Sequence, residues 1–80
     1  MQEMSDARQA IAAAKAAGAT SATSPDFYAA QAALGRAETH LQAQEFTRAR
    51  LAAMEAKRHA AAALANANSQ HSETPVTQPH

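Results

Sequence analysis

The stretch that decides the fold runs from Phe46 to Ala67 and reads FTRARLAAMEAKRHAAAALANA. Alanine is the strongest helix former, and the stretch contains neither proline nor glycine, so it predicts one continuous α-helix. One side of that helix is apolar at spacings of three and four residues and comprises Phe46, Ala49, Ala53, Ala56, Ala60 and Ala63. A second apolar strip lies nearly opposite and comprises Leu51, Met54, Ala61 and Ala65.

A helix with two apolar faces usually has two neighbours. We expect the alanine face to pack closely against the preceding helix, because methyl side chains let two backbones approach to the lower end of the usual 8–10 Å range. The face with Leu51 and Met54 would then meet the first helix or another protomer.

The preceding helix is predicted to run from Pro25 to about Ala43. Ser24 is a favourable N-cap, proline fits the first helical position, and Asp26 suits the positive end of the helix dipole. Its apolar stripe comprises Phe27, Ala30, Leu34, Ala37 and Leu41. The connection near Gln44 and Glu45 is short, which predicts an antiparallel hairpin with the helix that begins at Phe46.

A shorter first helix is predicted from Ser5 to about Ala17, with Ser5 as its N-cap and Gly18 as its stop. Its apolar stripe comprises Met4, Ala7, Ile11 and Ala14. The sequence therefore predicts an all-α fold, a small three-helix unit in which the first helix lies across the hairpin. Residues 1–67 form this domain, and residues 68–80 are expected to be a disordered polar tail or linker, since Val76 is their only aliphatic residue.

Charge and composition exclude several classes of function. The formal net charge is zero, which gives no electrostatic reason to bind nucleic acid or an anionic membrane. Cysteine is absent, so the chain has no disulfide and no thiolate ligand or nucleophile. No apolar run is long enough to span a membrane directly. The residues after Met1 do not form a signal peptide, so we expect either a cytoplasmic protein or an exported one whose leader has been removed.

The sequence offers no catalytic, cofactor-binding or metal site. In the antiparallel hairpin His40 lies about ten residues, or ~15 Å, from His59, too far apart to share an ion. His59 follows Glu55 by four residues, which predicts a weak surface pair. No carboxylate pair is placed in an apolar cleft where its pKa could be tuned for acid–base chemistry, so we do not expect an enzyme.

The candidate partner-binding residues are apolar, cationic or aromatic positions on the last two predicted helices. Arg50 and Lys57 share a face of the last helix, where they could bind phosphate or an acidic partner or simply be solvated. Tyr28 points away from the core stripe, and Phe27 and Phe46 are expected to fill opposite ends of the helix pair. The full set is Leu51, Met54, Arg50, Lys57 and Tyr28.

Several of these motifs occur together in one known family. The run Glu3–Ile11 (EMSDARQAI), the following AAGA of residues 16–19, the Ser24-Pro25 helix start and the alanine series after Phe46 resemble an alanine-rich bacterial family, domain of unknown function 4398. One departure is the turn before Phe46, which is often Gly-Asp in that family and is Gln44-Glu45 here.

The resemblance implies a setting rather than a reaction. Members are typically exported Gram-negative envelope proteins, often lipoproteins and sometimes joined to a peptidoglycan-binding domain of the OmpA type. It therefore implies a periplasmic or outer-membrane-associated protein, and it carries no catalytic residue over to this chain.

Three functional hypotheses follow from the sequence and the resemblance. The first is a non-catalytic helical module that binds a protein or acts as a spacer in the cell envelope. The second is a self-association element that pairs copies of this chain. The third is a weak peptidoglycan-binding module that uses Arg36, His40 and Arg50. Binding to nucleic acid ranks last.

Overall fold

The computed structural model describes residues 2–76, and the side chains of residues 2–69. Three α-helices follow one another: α1 (Gln2–Ala16), α2 (Pro25–Gln42) and α3 (Phe46–Val76). The most extensive interface joins α2 and α3, the next joins α1 and α3, and α1 and α2 share the smallest one. The predicted all-α three-helix unit with an antiparallel α2–α3 hairpin is therefore confirmed. Within the described residues, no helix combines the length and the apolarity needed to cross a membrane.

The end of α1 and the start of α2 are set by the residues that the sequence indicates. Gly18 has a positive φ of 105°, and the amide of Ala19 donates to the Ala14 carbonyl oxygen at 3.0 Å. Together with the bond from the Gly18 amide to the Lys15 oxygen, this is a Schellman motif. The Ser24 hydroxyl accepts from the Phe27 amide at 3.1 Å, which caps α2 as predicted.

The start of α1 differs from the prediction. The helix begins at Gln2, so Ser5 lies inside its second turn and is not its N-cap. Glu3 occupies the first turn, where a carboxylate interacts favourably with the helix dipole. The helix therefore includes the capping signal at Ser5, because helix-forming residues also precede it.

The orientation of α1 also differs from the prediction. Glu3 pairs with Arg50, Asp6 pairs with Lys57, and Ala14 belongs to the same packed cluster as Ala63. These contacts advance along both helices in the same direction, so α1 runs parallel to α3 and does not lie across the hairpin. The arrangement is an up-down-up bundle.

The interior is built almost entirely from alanine. Of the fifteen hydrophobic residues that are buried within residues 2–69, thirteen are alanine, and the other two are Met4 and Phe27. The core is therefore thin, and the three backbones lie close together. The predicted stripes of α1 and α2 are confirmed, with Ile11, Leu34 and Leu41 partly buried at their edges.

The end of α3 lies later than predicted. The helix continues beyond Ala67 to Val76, through the segment expected to be a disordered tail. Extending an existing helix adds one hydrogen bond for each residue that it orders, so a polar stretch can be helical without a core to pack on. Residues 77–80 of the predicted tail lie outside the described residues, and the division of the chain at residue 67 stays a prediction.

Candidate partner-binding surface

The inner face of α3 is the alanine seam. Ala49, Ala53, Ala56 and Ala60 are fully buried, and Ala63 is 1% exposed. Residues of both neighbouring helices pack with the seam. They are Met4 and Ala7 of α1, and Ala33 and Ala37 of α2. The seam therefore faces two helices, where the sequence assigns it only to α2.

The outer α3 face is the surface on the opposite side, formed by Leu51, Met54, Arg58, Ala61 and Ala65. Leu51 is 60% exposed and Met54 is 47% exposed, and the other three are also exposed. Of the two neighbours expected for this face, the first helix or another protomer, α1 does not cover it, because methyl side chains leave room for α1 and α2 side by side on the inner half of α3. Leu51 and Met54 lie three residues apart, so their side chains are neighbours on the surface.

Arg50 and Lys57 lie at the edge of this face, toward α1. The Arg50 Nε lies 3.6 Å from the Glu3 Oε2, and the Lys57 Nζ lies 3.8 Å from the Asp6 Oδ2. Both cationic side chains remain more than half exposed. Exposed pairs of this kind contribute about 0.2–1 kcal/mol each, so they steady α1 against α3 while leaving the two charges available to solvent.

Tyr28 and Phe46 lie apart from this surface. Tyr28 is 63% exposed and belongs to α2, so the structure does not bring it together with Leu51 and Met54. Phe46 is 60% exposed, and its predicted place in the core is wrong. Glu3 is level with Arg50, one turn after Phe46, so α1, which begins at Gln2, starts nearly one turn beyond the level of this ring. Phe27 is buried as predicted.

His40 and His59 each pair with a carboxylate. The His59 Nδ1 lies 3.1 Å from the Asp26 Oδ1, which joins α3 to the first turn of α2. The predicted His59–Glu55 pair is not formed, because Glu55 lies 3.4 Å from Arg36. The His40 Nδ1 lies 2.6 Å from the Glu45 Oε1. That hydrogen bond lowers the pKa of Glu45, burial opposes it, and the charge of Arg48 lowers the pKa further.

The residues proposed for glycan binding each contact a carboxylate. Arg36 contacts Glu55, His40 contacts Glu45, and Arg50 contacts Glu3. Within residues 2–69, no group of three or more potential ligands is placed to hold a metal ion. A cleft of about 290 Å³ lies at the end of the bundle opposite the α2–α3 turn. Its lining includes Ser24, Asn66 and Ser69 but no ionisable side chain.

The sequence analysis did not predict the acid–base pairs that connect the helices. Among the described side chains, six pairs of acidic and basic residues connect one helix with another or with the α2–α3 turn, and none of these six joins two residues of the same helix. Arg8 and Glu38, for example, join α1 to α2 at 3.1 Å. An acidic residue beside each buried stripe is the pattern that could have predicted these pairs. Assigning the partners also requires the parallel direction of α1, which the sequence does not indicate.

Comparison with known proteins gives the family but no described relative. No curated protein and no solved structure matches the chain. One family model matches residues 2–79, nearly the whole chain, and its description is Domain of unknown function (DUF4398). The resemblance noted from the helix motifs is thereby confirmed, and the chain belongs to this family.

Proposed function

We propose that this chain is a non-catalytic helical module of the bacterial cell envelope that binds a protein partner through the outer α3 face. The observation that carries the proposal is the exposure of Leu51 and Met54, while smaller alanines occupy the interior. Large apolar side chains left side by side in water favour association, because covering them removes apolar surface from solvent.

The polar groups of the described residues also favour a binding role over a catalytic one. No buried side-chain nitrogen or oxygen in the described part of the chain lacks a hydrogen-bond partner. Its carboxylates are engaged in pairs between elements, which gives each of them a structural task. The placement in the periplasm or at the outer membrane rests on the resemblance to envelope proteins alone.

The test is site-specific photo-crosslinking in an extract of the Gram-negative cell envelope. The photoreactive residue p-benzoylphenylalanine is placed at position 54 of the full chain, and at position 32 in a matched control. Ala32 is exposed on the outward side of α2, so both probes face solvent on a helix. We expect a discrete protein adduct from position 54 only, and we expect Leu51→Glu to abolish it.

The same substitution should leave the fold intact. Leu51 is 60% exposed, so Leu51→Glu should change the free energy of unfolding by no more than about 0.5 kcal/mol. Identical adducts from both positions, or an adduct that survives Leu51→Glu, would show that this face is not the binding surface. Fractionation of cells that produce the native protein tests the compartment separately, and recovery in the cytoplasm would contradict the envelope assignment.

A further inference from the structure

We propose that the occupant of the outer α3 face is an acidic amphipathic helix of a partner protein. This inference rests on the proposed function, because it names the class of partner for the same surface. It begins from Arg58, which follows Met54 by four residues and Leu51 by seven, so that all three share one side of α3. Arg58 is exposed and forms no ion pair within the described residues.

Basic side chains surround the apolar pair on α3. Arg48 precedes Leu51 by three residues, Arg50 precedes Met54 by four, and Lys57 follows Met54 by three. Over residues 46–69 the helix has one acidic residue, Glu55, whose Oε1 already lies 3.4 Å from Arg36. Glu55 follows Leu51 by four residues, and Arg50 and Lys57 face Glu3 and Asp6, so Arg48 and Arg58 are the charged residues beside the apolar pair that form no ion pair within the described residues. The surface around Leu51 and Met54 is therefore apolar at its centre, with an excess of positive charge at its rim.

The carboxylates of this chain are already engaged. Each acidic residue of the described side chains lies within 3.8 Å of a basic one: Glu3, Asp6, Asp26, Glu38, Glu45 and Glu55. A second copy of the chain would bring the same cationic rim to the interface, since a two-fold interface uses the same patch on both subunits. Like charges would then face one another, whereas a partner that carries carboxylates would complete the surface.

The shape of the face favours a helix as the occupant. Beyond Arg58 the strip continues with Ala61 and Ala65, whose methyl groups allow a second backbone to approach closely. From Leu51 to Ala65 the strip is about 21 Å long at 1.5 Å per residue, or about four helical turns. Helices that lie on membranes use broader apolar faces with several large side chains, and only two are present here.

The test uses the full chain and two synthetic amphipathic peptides about four turns long. One has leucine along one face flanked by glutamate, and the other has lysine in place of each glutamate. We expect the glutamate peptide to bind at least about tenfold more tightly, by fluorescence anisotropy at low ionic strength, with a preference that shrinks as salt is added. Arg58→Glu should weaken its binding about tenfold.

Lys15→Glu is the matched control, because Lys15 is an exposed cation in the last turn of α1 and the change in charge is the same. It should alter the affinity by less than about twofold. Circular dichroism establishes that both variants are folded. Equal affinities for the two peptides, or equal effects of the two substitutions, would overturn the inference.

The proposed function can survive that failure. If crosslinking from position 54 depends on Leu51 while the peptides show no charge preference, the face binds a protein that is not an acidic helix. A dimer in sedimentation equilibrium that Leu51→Glu dissociates would instead assign the face to a second copy. Binding to phosphatidylglycerol vesicles without binding to the glutamate peptide would assign it to a lipid surface. Either result overturns the inference.

Discussion

The two faces of α3 are both apolar at helical spacing, yet the structure treats them in opposite ways. The inner face buries Ala53 and Ala56 completely, whereas the outer α3 face leaves Leu51 60% exposed. Hydrophobicity alone would favour burying Leu51 and exposing the alanines, because burying a leucine contributes about 1.5–3 kcal/mol. The difference teaches that side-chain size decides which face is buried when three backbones pack closely.

The neighbours of α3 explain this choice. Their facing residues are also small, with Ala33 and Ala37 on α2 and Ala7 on α1, each fully buried. A leucine in such a seam would push the helices apart and open gaps around the methyl groups beside it. The gain from close packing of α3 against both neighbours is therefore available only if Leu51 and Met54 face outward.

The largest expected effect comes from placing leucine in the seam. Ala53→Leu should lower the free energy of unfolding by roughly 1–3 kcal/mol, since Ala53 has no exposed surface and the added atoms must force α1 and α2 away. Urea denaturation followed by circular dichroism measures the change.

Ala61→Leu is the matched control on the outer α3 face. Ala61 is exposed on the same helix, so the same added atoms enter solvent and should change stability by no more than about 0.5 kcal/mol. If the two variants were equally stable, the distinction between the two faces would be wrong.

Features governed by local chemistry were predictable from the sequence. The cap at Ser24, the stop at Gly18 and the alanine seam depend on residues close together in the chain, and each is found where the sequence places it.

Features governed by tertiary geometry were not predictable. The direction of α1 depends on contacts such as Glu3–Arg50, which join residues far apart in sequence. Without knowing the direction of α1, we could not predict that Phe46 is exposed or that no helix of the described chain covers Leu51. Of the candidate binding residues, Leu51 and Met54 are found together, Arg50 and Lys57 lie beside them, and Tyr28 lies on another helix.

A smaller effect is expected at the turn that joins α2 to α3. Gln44 has a φ of 62°, and the Glu45 amide donates to the His40 oxygen at 2.8 Å. This is the motif that ends α1, with glutamine where α1 has Gly18. Glycine adopts positive φ without the steric cost of a Cβ, so Gln44→Gly should raise stability by about 0.5–1 kcal/mol.

Thermal and urea denaturation measure this gain, and Gly18→Ala should have the opposite sign because Gly18 has a φ of 105°. The substitution at residue 44 should also leave the outer α3 face exposed, which limited proteolysis or solvent labelling of Met54 can check. A loss of stability in Gln44→Gly would mean that the glutamine side chain contributes more than its backbone conformation costs.

The smallest effect concerns Glu45, the last residue before α3. Its hydrogen bond to His40 lowers its pKa below the ordinary value of 4.5. A carboxyl with a lowered pKa in the folded state stabilises the fold above its ordinary pKa, and the contribution is lost as the pH falls through the lowered value. Glu45→Gln removes the titrating charge, so wild type should melt at a higher temperature at pH 7. The difference should vanish on acidification below pH 4.5. A difference that stayed constant with pH would show that the turn depends on the shape of this side chain and not on its charge.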